Sequence, residues 1–251
     1  EDKDTEERND IIYGRNPVLE LFKAKKEIDK LYIQRGAREG SILKLVAMAR
    51  EKGVVIVEAD IKTLNKLTND GAHQGIAALV SGKEYCEIED ILNYAKEKNE
   101  APFIVICENI NDPHNFGAII RTANCAGVHG IIIPKRKSVS VTSSVFKTSA
   151  GAAEYMKIAR VANIASAIEE LKSKNIWIYG TDNLGETVYY NTDLSGAVAF
   201  IIGSEGEGMQ RLTKEKCDYL LRIPVKGKIN SLNASNAAAI VMYEAAKQRD
   251  K

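Results

Sequence analysis

The sequence predicts an α/β protein with two domains, the larger of which is built on a parallel sheet. The chain has 251 residues, 45% hydrophobic and 27% charged, which is enough for more than one core. Helix-like and strand-like segments alternate along it. In the second half the strand-like segments are continuous apolar runs, typical of parallel strands covered on both faces.

The first predicted domain covers residues 11–80. It opens with a helix over residues 16–26, in which Asn16 is the expected N-cap and Pro17 occupies the first turn. The other predicted elements are, in order, a strand at 31–33, a helix at 42–50, a strand at 54–57, a helix at 61–67 and a strand at 76–80.

Residues 81–100 are polar and charged, with a helical stretch at 88–98, and we expect a linker there. The second predicted domain covers residues 101–251. Its elements are, in order, a strand at 103–107, a helix at 118–126, a strand at 131–133, a helix at 162–172, strands at 176–179, 198–202 and 219–223, and a helix at 235–248. In such sheets ligands bind beyond the carboxyl ends of the strands.

Charge and cysteine usage narrow the class of protein. Residues 1–10 carry six acids and two bases, the reverse of a secretory signal, so we expect a disordered acidic tail. Residues 11–80 carry twelve bases and eight acids, which is compatible with a polyanionic partner. No apolar run approaches the roughly 20 residues that span a bilayer, so no membrane partner is expected. The four cysteines lack C-x-x-C spacing, which predicts neither a zinc site nor a disulfide framework and favours a cytoplasmic setting.

Three loops after predicted strands are rich in polar residues. In the first, Asn115 and Arg121 are six positions apart, on opposite faces of a continuous helix. A site that uses both therefore requires Asn115 at or before the helix start. The alternative is that Asn115 only caps the helix and Arg121 forms a surface pair.

The second loop, residues 203–208, has three glycines that allow close approach to a ligand. Glu205 and Glu207 would repel phosphate, so the loop favours a ligand with positive charge or hydrogen-bond donors; the alternative is a loose surface turn. The third loop, residues 223–240, holds more Ser and Asn side chains than one helix cap needs, which suggests a polar binding surface.

Together, the motifs N-x-x-A-I-I-R-T-A (115–123), G-S-E-G-E-G (203–208) and I-P-V-x-G with S-L-N-A-S-N-A-A-A-I (223–240) resemble the three motifs of the SpoU (TrmH-type) RNA ribose 2′-O-methyltransferases. Residues 13–18 with 73–76 resemble the amino-terminal RNA-binding domain of the RlmB branch, whose fold is similar to certain ribosomal proteins. The resemblance implies S-adenosylmethionine as methyl donor without a metal, a SPOUT-type trefoil knot in the carboxy-terminal domain, and a homodimer that completes the active site across its interface.

The resemblance also implies roles for individual residues. The expected cofactor-binding residues are Thr181, Gly203, Ile223 and Leu232. The expected catalytic residues are Asn115, Arg121, Glu205, Ser231 and Asn233. A guanidinium stays protonated in proteins, so we expect Arg121 to bind the adjacent phosphate and stabilise the nascent alkoxide, with Glu205 orienting it. A general-base role for Arg121 stays open.

The amino-terminal domain is expected to select the RNA through basic side chains. The candidates are Arg15, Lys25, Lys26, Arg35 and Arg38. His73 is expected to contact RNA or to satisfy a turn, and His129 to be structural. The resulting hypothesis is methylation of a guanosine 2′-hydroxyl in 23S ribosomal RNA. The alternatives are a tRNA substrate and a non-catalytic RNA-binding factor for ribosome assembly.

Overall fold

A computed structural model of the chain describes residues 10–24, 26–37 and 40–250. They form two compact units, the first comprising residues up to Glu84 with Ser140–Ser144, the second Tyr85–Val139 with the chain from Val145 onward. Both units mix helices and strands, which confirms the predicted α/β class. The predicted acidic tail lies outside the described residues except for Asp10.

The first unit is a four-stranded mixed sheet with three helices. Its elements are β1 (Ile11–Tyr13), α1 (Arg15–Lys23), β2 (Ile28–Gln34), α2 (Gly40–Glu51), β3 (Val55–Ala59), α3 (Ile61–Thr68) and β4 (Ile76–Val80). The strand order is β1-β4-β2-β3, with only β2 and β3 parallel. The prediction of Asn16 as an N-cap was wrong, because α1 already begins at Arg15 and Gly14, with φ 92°, stands at its cap position.

A distant segment completes the first unit. Val141 is fully buried, and its carbonyl oxygen accepts a 2.9 Å hydrogen bond from the Gly82 N–H. The N–H and hydroxyl of Ser143 donate to Asp10 Oδ2 at 3.0 and 2.8 Å. The first unit is therefore built from two separate stretches of chain.

The second unit is a seven-stranded sheet flanked by helices. Its elements are α4 (Ile88–Glu97), β5 (Phe103–Cys107), α5 (Pro113–Cys125), β6 (Gly130–Pro134), β7 (Lys157–Val161), α7 (Ile164–Ser173), β8 (Trp177–Thr181), β9 (Thr187–Val188), β10 (Val198–Ile202), α8 (Arg211–Lys216), β11 (Tyr219–Arg222) and α9 (Ala234–Arg249), with α6 (Ser143–Thr148) beginning in the first unit. The strand order is β7-β6-β5-β10-β8-β11-β9, and every pairing is parallel, as predicted.

The expected linker at residues 81–100 is instead mostly part of the second unit. Helix α4 buries Ile88 and Ile91 in the same apolar core as Ile104 of β5 and Ile168 of α7. The fit is close, since a Cβ at Gly130 would lie 2.5 Å from the Ile91 side chain. The polar character of this stretch reflects the solvent face of an amphipathic helix.

The central strands β5 and β10 are neighbours, so the loops that follow them meet at the carboxyl edge of the sheet. The loops after β8 and β11 lie next to them. Within the described residues, every helix is too short or too polar to cross a bilayer.

Candidate functional site

A hydrogen-bonded cluster joins the three polar loops at the carboxyl edge. Asn115 Nδ2 donates to Glu205 Oε1 at 3.1 Å, and Asn233 Nδ2 donates to Asn115 Oδ1 at 2.9 Å. Asn233 Nδ2 also donates to Glu205 Oε1, which accepts a further bond from the Ala234 N–H at 3.3 Å. The cluster thus brings Asn115 together with Glu205 and Asn233, which lie 90 and 118 positions further along the chain.

Two helix starts hold this cluster. Asn233 caps α9 by accepting from the N–H groups of Ser235 and Asn236 at 3.0 and 3.3 Å, which fixes its amide for Glu205. The Glu205 carboxylate therefore lies at the positive end of α9, where a negative charge is stabilised. The cap of α5 is Asp112, which accepts from the N–H groups of His114 and Asn115. Asn115 itself lies in the first turn of the helix and does not cap it.

The glycine-rich loop between β10 and α8 is a tight turn. Ser204 and Gly208 pair across it, and Gly208 has φ 65°. A Cβ at Gly203 would lie 2.4 Å from the Gly208 backbone, so only glycine allows the two sides of the loop to meet.

Glu108, which follows β5, anchors the end of this loop, and sequence reasoning missed it. Its carboxylate accepts from the Thr213 hydroxyl at 2.6 Å and from the Gln210 N–H at 2.8 Å, and only 3% of the residue is exposed. The available signal was a charged residue directly after a continuous apolar strand, since a buried carboxylate requires partners.

A cavity of about 280 Å³ lies beside the cluster. The four expected cofactor-binding residues, Thr181, Gly203, Ile223 and Leu232, all line it, as do Glu205 and Ser231 of the expected catalytic set. Its wall contains both polar and apolar residues, and Ile223 and Leu232 are among the apolar ones.

The cavity also contains an ion pair that the sequence did not reveal. Lys214 Nζ lies 2.6 Å from Asp182 Oδ2, and both residues line the cavity. Burial disfavours the charged carboxylate, but bonds from Lys214 and the Leu184 N–H outweigh it and hold the pKa of Asp182 below its usual range. The charge of Asp182 in the wall is therefore balanced by that of Lys214.

Arg121 does not join the cluster within one chain. Its side chain is exposed and makes no hydrogen bond or ion pair with any residue of the described part of the chain. The expected contact in which Glu205 orients Arg121 is therefore not formed in a single chain. The reason is geometric: α5 is continuous, so Arg121 lies roughly 9 Å along the axis from Asn115 and on another face.

The basic residues expected to contact RNA have different settings in the first unit. Arg15 is held in place, because its N–H and Nε donate to Gln74 and its Nη1 donates to Ser41. Arg15 and Arg35 line an open cavity with His73, whose ring satisfies the turn by bonding Asn65 and the Gly75 N–H. Lys26 is exposed. Lys25 and Arg38 lie outside the described residues.

His129 is structural, as expected. Its Nδ1 accepts from the Phe103 N–H at 3.0 Å and its Nε2 lies 3.0 Å from Glu100 Oε2, on the far edge of the sheet from the cavity. Burial lowers the pKa of His129, because removal from water disfavours the charged imidazolium by more than the nearby Glu100 favours it. Across residues 10–24, 26–37 and 40–250, no group of three or more His, Cys, Asp or Glu side chains is arranged to hold a metal ion.

The fold and the site define a ligand-binding α/β domain joined to a smaller α/β unit. Residues 102–243 match the family model described as the SpoU rRNA Methylase family, and residues 11–86 match the model described as RNA 2′-O ribose methyltransferase substrate binding. The chain belongs to the SpoU methylase family.

The similarity to relatives extends over both units. A protein named as a TrmH family tRNA/rRNA methyltransferase, YacO of Bacillus subtilis (strain 168), is 42% identical over 244 residues, 97% of this chain and 98% of that one. A Staphylococcus aureus protein with the same family name is 40% identical over 239 residues, 95% of this chain and 96% of its own.

Solved structures share the fold. The SpoU methyltransferase AviRb from Streptomyces viridochromogenes, crystallised with the cofactor AdoMet, has a TM-score of 0.60 at 24% identity and covers 96% of this chain and 90% of its own. The TrmH/SpoU tRNA modifying enzyme of A. aeolicus has a TM-score of 0.55 at 26% identity over 64% of this chain and 84% of its own.

Proposed function

We propose that this protein transfers a methyl group from S-adenosylmethionine to a ribose 2′-hydroxyl of RNA. The observation that carries the proposal is the Asn115–Glu205–Asn233 cluster beside a lined cavity in a chain of the SpoU methylase family. Family membership supplies the reaction class, and the cluster supplies a polar frame for the acceptor at the mouth of a donor cavity.

The cavity fits this donor. Glycine at position 203 lets the loop fold closely on itself and form one wall of the cavity, and Ile223 and Leu232 offer an apolar surface for the base of the donor. The carboxylate of Glu205, which forms no ion pair with a described residue, suits a cationic group, and the donor needs no phosphate site. When bound, S-adenosylmethionine supplies a methyl carbon open to attack by an oxygen nucleophile.

The residues around the cavity orient the acceptor and stabilise its developing charge. Asn115 and Asn233 are fixed by helix starts and by Glu205, so their amides are preorganised for a ribose. Ser231 presents a hydroxyl in the cavity wall. Gains in such a displacement come mainly from positioning, for which this fixed frame is suited.

Arg121 is proposed to act from the second subunit of a homodimer. It has no hydrogen-bond or ion-pair partner within the described part of its own chain, and it lies on another face of α5 than Asn115. A guanidinium from the neighbouring chain would bind the phosphate beside the target ribose and stabilise the nascent alkoxide.

Mixed dimers test this arrangement. Arg121→Ala and Glu205→Ala homodimers are both expected to be inactive. A mixed dimer of the two variants regains one complete site if Arg121 acts across the interface, and none if it acts within its own chain. Methyl transfer by the purified mixed dimer at about half the wild-type rate supports the proposal, and no activity refutes it.

The proposed substrate is the ribose of a guanosine in 23S ribosomal RNA. The first unit is proposed to select the RNA through its basic residues Arg15, Lys25, Lys26, Arg35 and Arg38. The match of residues 11–86 to a substrate-binding family model supports an RNA-selecting role for that unit. A tRNA substrate and a non-catalytic role in ribosome assembly are the competing proposals. The trefoil knot remains an expectation from the family resemblance.

Two measurements separate these functions. Isothermal titration with S-adenosylmethionine is expected to show binding that Gly203→Val abolishes; no binding by the wild-type protein would favour the assembly factor. Mapping of 2′-O-methyl groups in total RNA, with and without the gene, is expected to show loss of one mark in large-subunit RNA. A lost mark in tRNA with an unchanged ribosomal map would overturn the substrate assignment.

A further inference from the structure

The turn after β6 carries three consecutive basic residues, Lys135, Arg136 and Lys137, which we call the basic turn. Arg136 and Lys137 are exposed and Lys135 is half-buried. None of the three side chains has an ion pair or a hydrogen bond with any described residue. Three unpaired like charges in sequence repel one another, so they favour an anionic partner.

The backbone of the basic turn is fixed. The buried Ser138 hydroxyl donates to the Pro134 carbonyl at 2.6 Å, and the Lys135 N–H donates to the Val161 carbonyl at 2.8 Å. Arg160 Nη2 donates to the Lys135 carbonyl at 3.3 Å. Lys137 has φ 57°, an uncommon conformation for a residue other than glycine. The fold thus holds the three bases in one place.

The basic turn lies beside the loop that carries Asn115. Strands β5 and β6 are neighbours, and neighbouring strands are about 4.8 Å apart, so their carboxyl-end loops are adjacent. A direct bond links them, since the Val139 N–H donates to the Ile110 carbonyl at 3.0 Å. The turn does not line the donor cavity, which lies on the other side of β5, among the loops after β8, β10 and β11.

Charges of opposite sign therefore occupy different parts of the carboxyl edge. The loops after β8 and β10 carry Asp182, Glu205 and Glu207 at the cavity, where Lys214 of α8 pairs with Asp182 and leaves the two glutamates unbalanced. The charged residues of the loop after β6 are all bases. Lys226 and Lys228 stand in the loop after β11, but that loop itself forms a wall of the cavity. The basic turn is the part of this edge that can hold an anion without disturbing the donor.

We propose that the basic turn binds the phosphodiester backbone of the RNA substrate next to the target nucleotide. This inference rests on the proposed function and adds a binding surface in the second unit to the RNA contacts expected in the first. A ribose held at the Asn115–Glu205–Asn233 cluster places its neighbouring nucleotides over the β5 and β6 loops, and the charges of the turn neutralise their phosphates. The contact is with phosphate and is independent of base identity.

The test compares two double variants. Arg136→Gln/Lys137→Asn removes two charges of the turn, and Asn tolerates the left-handed backbone at that position. Lys96→Gln/Lys98→Asn is the matched control, since it removes two exposed charges near the end of α4, which precedes the amino end of β5. Arg136→Lys keeps the charge and is expected to retain binding.

Filter binding to unmodified transcripts of large-subunit RNA and of tRNA, over a range of salt concentrations, gives the primary readout. With the RNA that the wild-type protein methylates, we expect the slope of log Kd against log salt to fall by about 2 in the Arg136/Lys137 variant, about 1 per phosphate contact. We expect KM for RNA to rise while kcat and the affinity for S-adenosylmethionine stay unchanged, and the control variant to behave as wild type.

Three results would overturn the proposal. They are equal effects of the two double variants, no effect of either, and loss of kcat or donor affinity without loss of RNA affinity. Methyl transfer by the wild-type protein is measured in the same experiment. The absence of methyl transfer would refute the proposed function. If the wild type is active and the Arg136/Lys137 variant binds RNA as the wild type does, only the proposed RNA contact of the basic turn is refuted.

Discussion

Replacing Glu108 should loosen the glycine-rich loop and weaken donor binding. Its carboxylate is buried and accepts two hydrogen bonds, from the Thr213 hydroxyl and the Gln210 N–H. Glu108→Ala leaves both donors without an acceptor, next to the space left by the removed side chain. Hydrogen bonds to charged groups contribute about 1.5–3 kcal/mol each. We expect the free energy of unfolding of the second unit to fall by about 3–5 kcal/mol. Glu108→Gln keeps the shape and one acceptor, and should cost about 1 kcal/mol.

Urea unfolding followed by tryptophan fluorescence measures this effect. The single tryptophan, Trp177, lies in β8, so its signal reports on the second unit. Glu170→Ala, which removes an exposed carboxylate on α7, is the control and should change stability by less than about 0.5 kcal/mol. Isothermal titration should show the affinity for S-adenosylmethionine falling about tenfold in Glu108→Ala, which corresponds to about 1.4 kcal/mol. An Ala variant as stable as the control would refute the anchoring role.

Three further outcomes are expected. Gly203→Ala should abolish donor binding in a titration, because its Cβ would lie 2.4 Å from the opposite side of the loop, whereas Gly196→Ala, whose Cβ meets open space away from the cavity, should bind normally; equal behaviour would contradict the close approach of the two sides of the loop. Iodoacetamide at mildly alkaline pH should label the exposed Cys125 well before Cys107, because burial raises the pKa of the Cys107 thiol to about 12, and peptide mass spectrometry would reveal a reversed order. Burial lowers the pKa of His129 from 6.5, so as pH decreases below 6.5 the unfolded chain binds a proton that the folded chain does not, and stability should fall. In His129→Gln this part of the pH dependence of urea unfolding should disappear, and its persistence would assign it to another group.

The main elements of the second unit were predictable because its apolar runs are continuous. Strands 103–107 and 198–202 coincide with β5 and β10, since a strand buried on both faces leaves an uninterrupted signal. Short elements at the sheet edges gave no such signal: Lys157–Val161 has a charged residue at every third position, and Thr187–Val188 is only two residues long. Both strands owe their place to pairing with neighbours distant in the chain.

The candidate site was predictable in part. The residue types of the motifs and the convergence of three loops at one sheet edge follow from sequence, and Thr181, Gly203, Ile223 and Leu232 line one cavity there. Partners of individual side chains did not follow. Glu205 bonds two asparagines where an arginine was expected, because the cap at Asp112 starts α5 early enough to turn Arg121 onto another face.

The segment Ser140–Ser144 has a consequence for how the protein can be divided. Because Val141 and Ser143 bond to Gly82 and Asp10, no single cut of the gene yields both units intact. A fragment ending at Glu84 would lack the segment Ser140–Ser144 with its buried Val141, and the remaining fragment would carry that segment without the residues that pack on it. Grafting the smaller unit onto another methyltransferase, or exchanging it between relatives, therefore requires transplanting two pieces of chain at once.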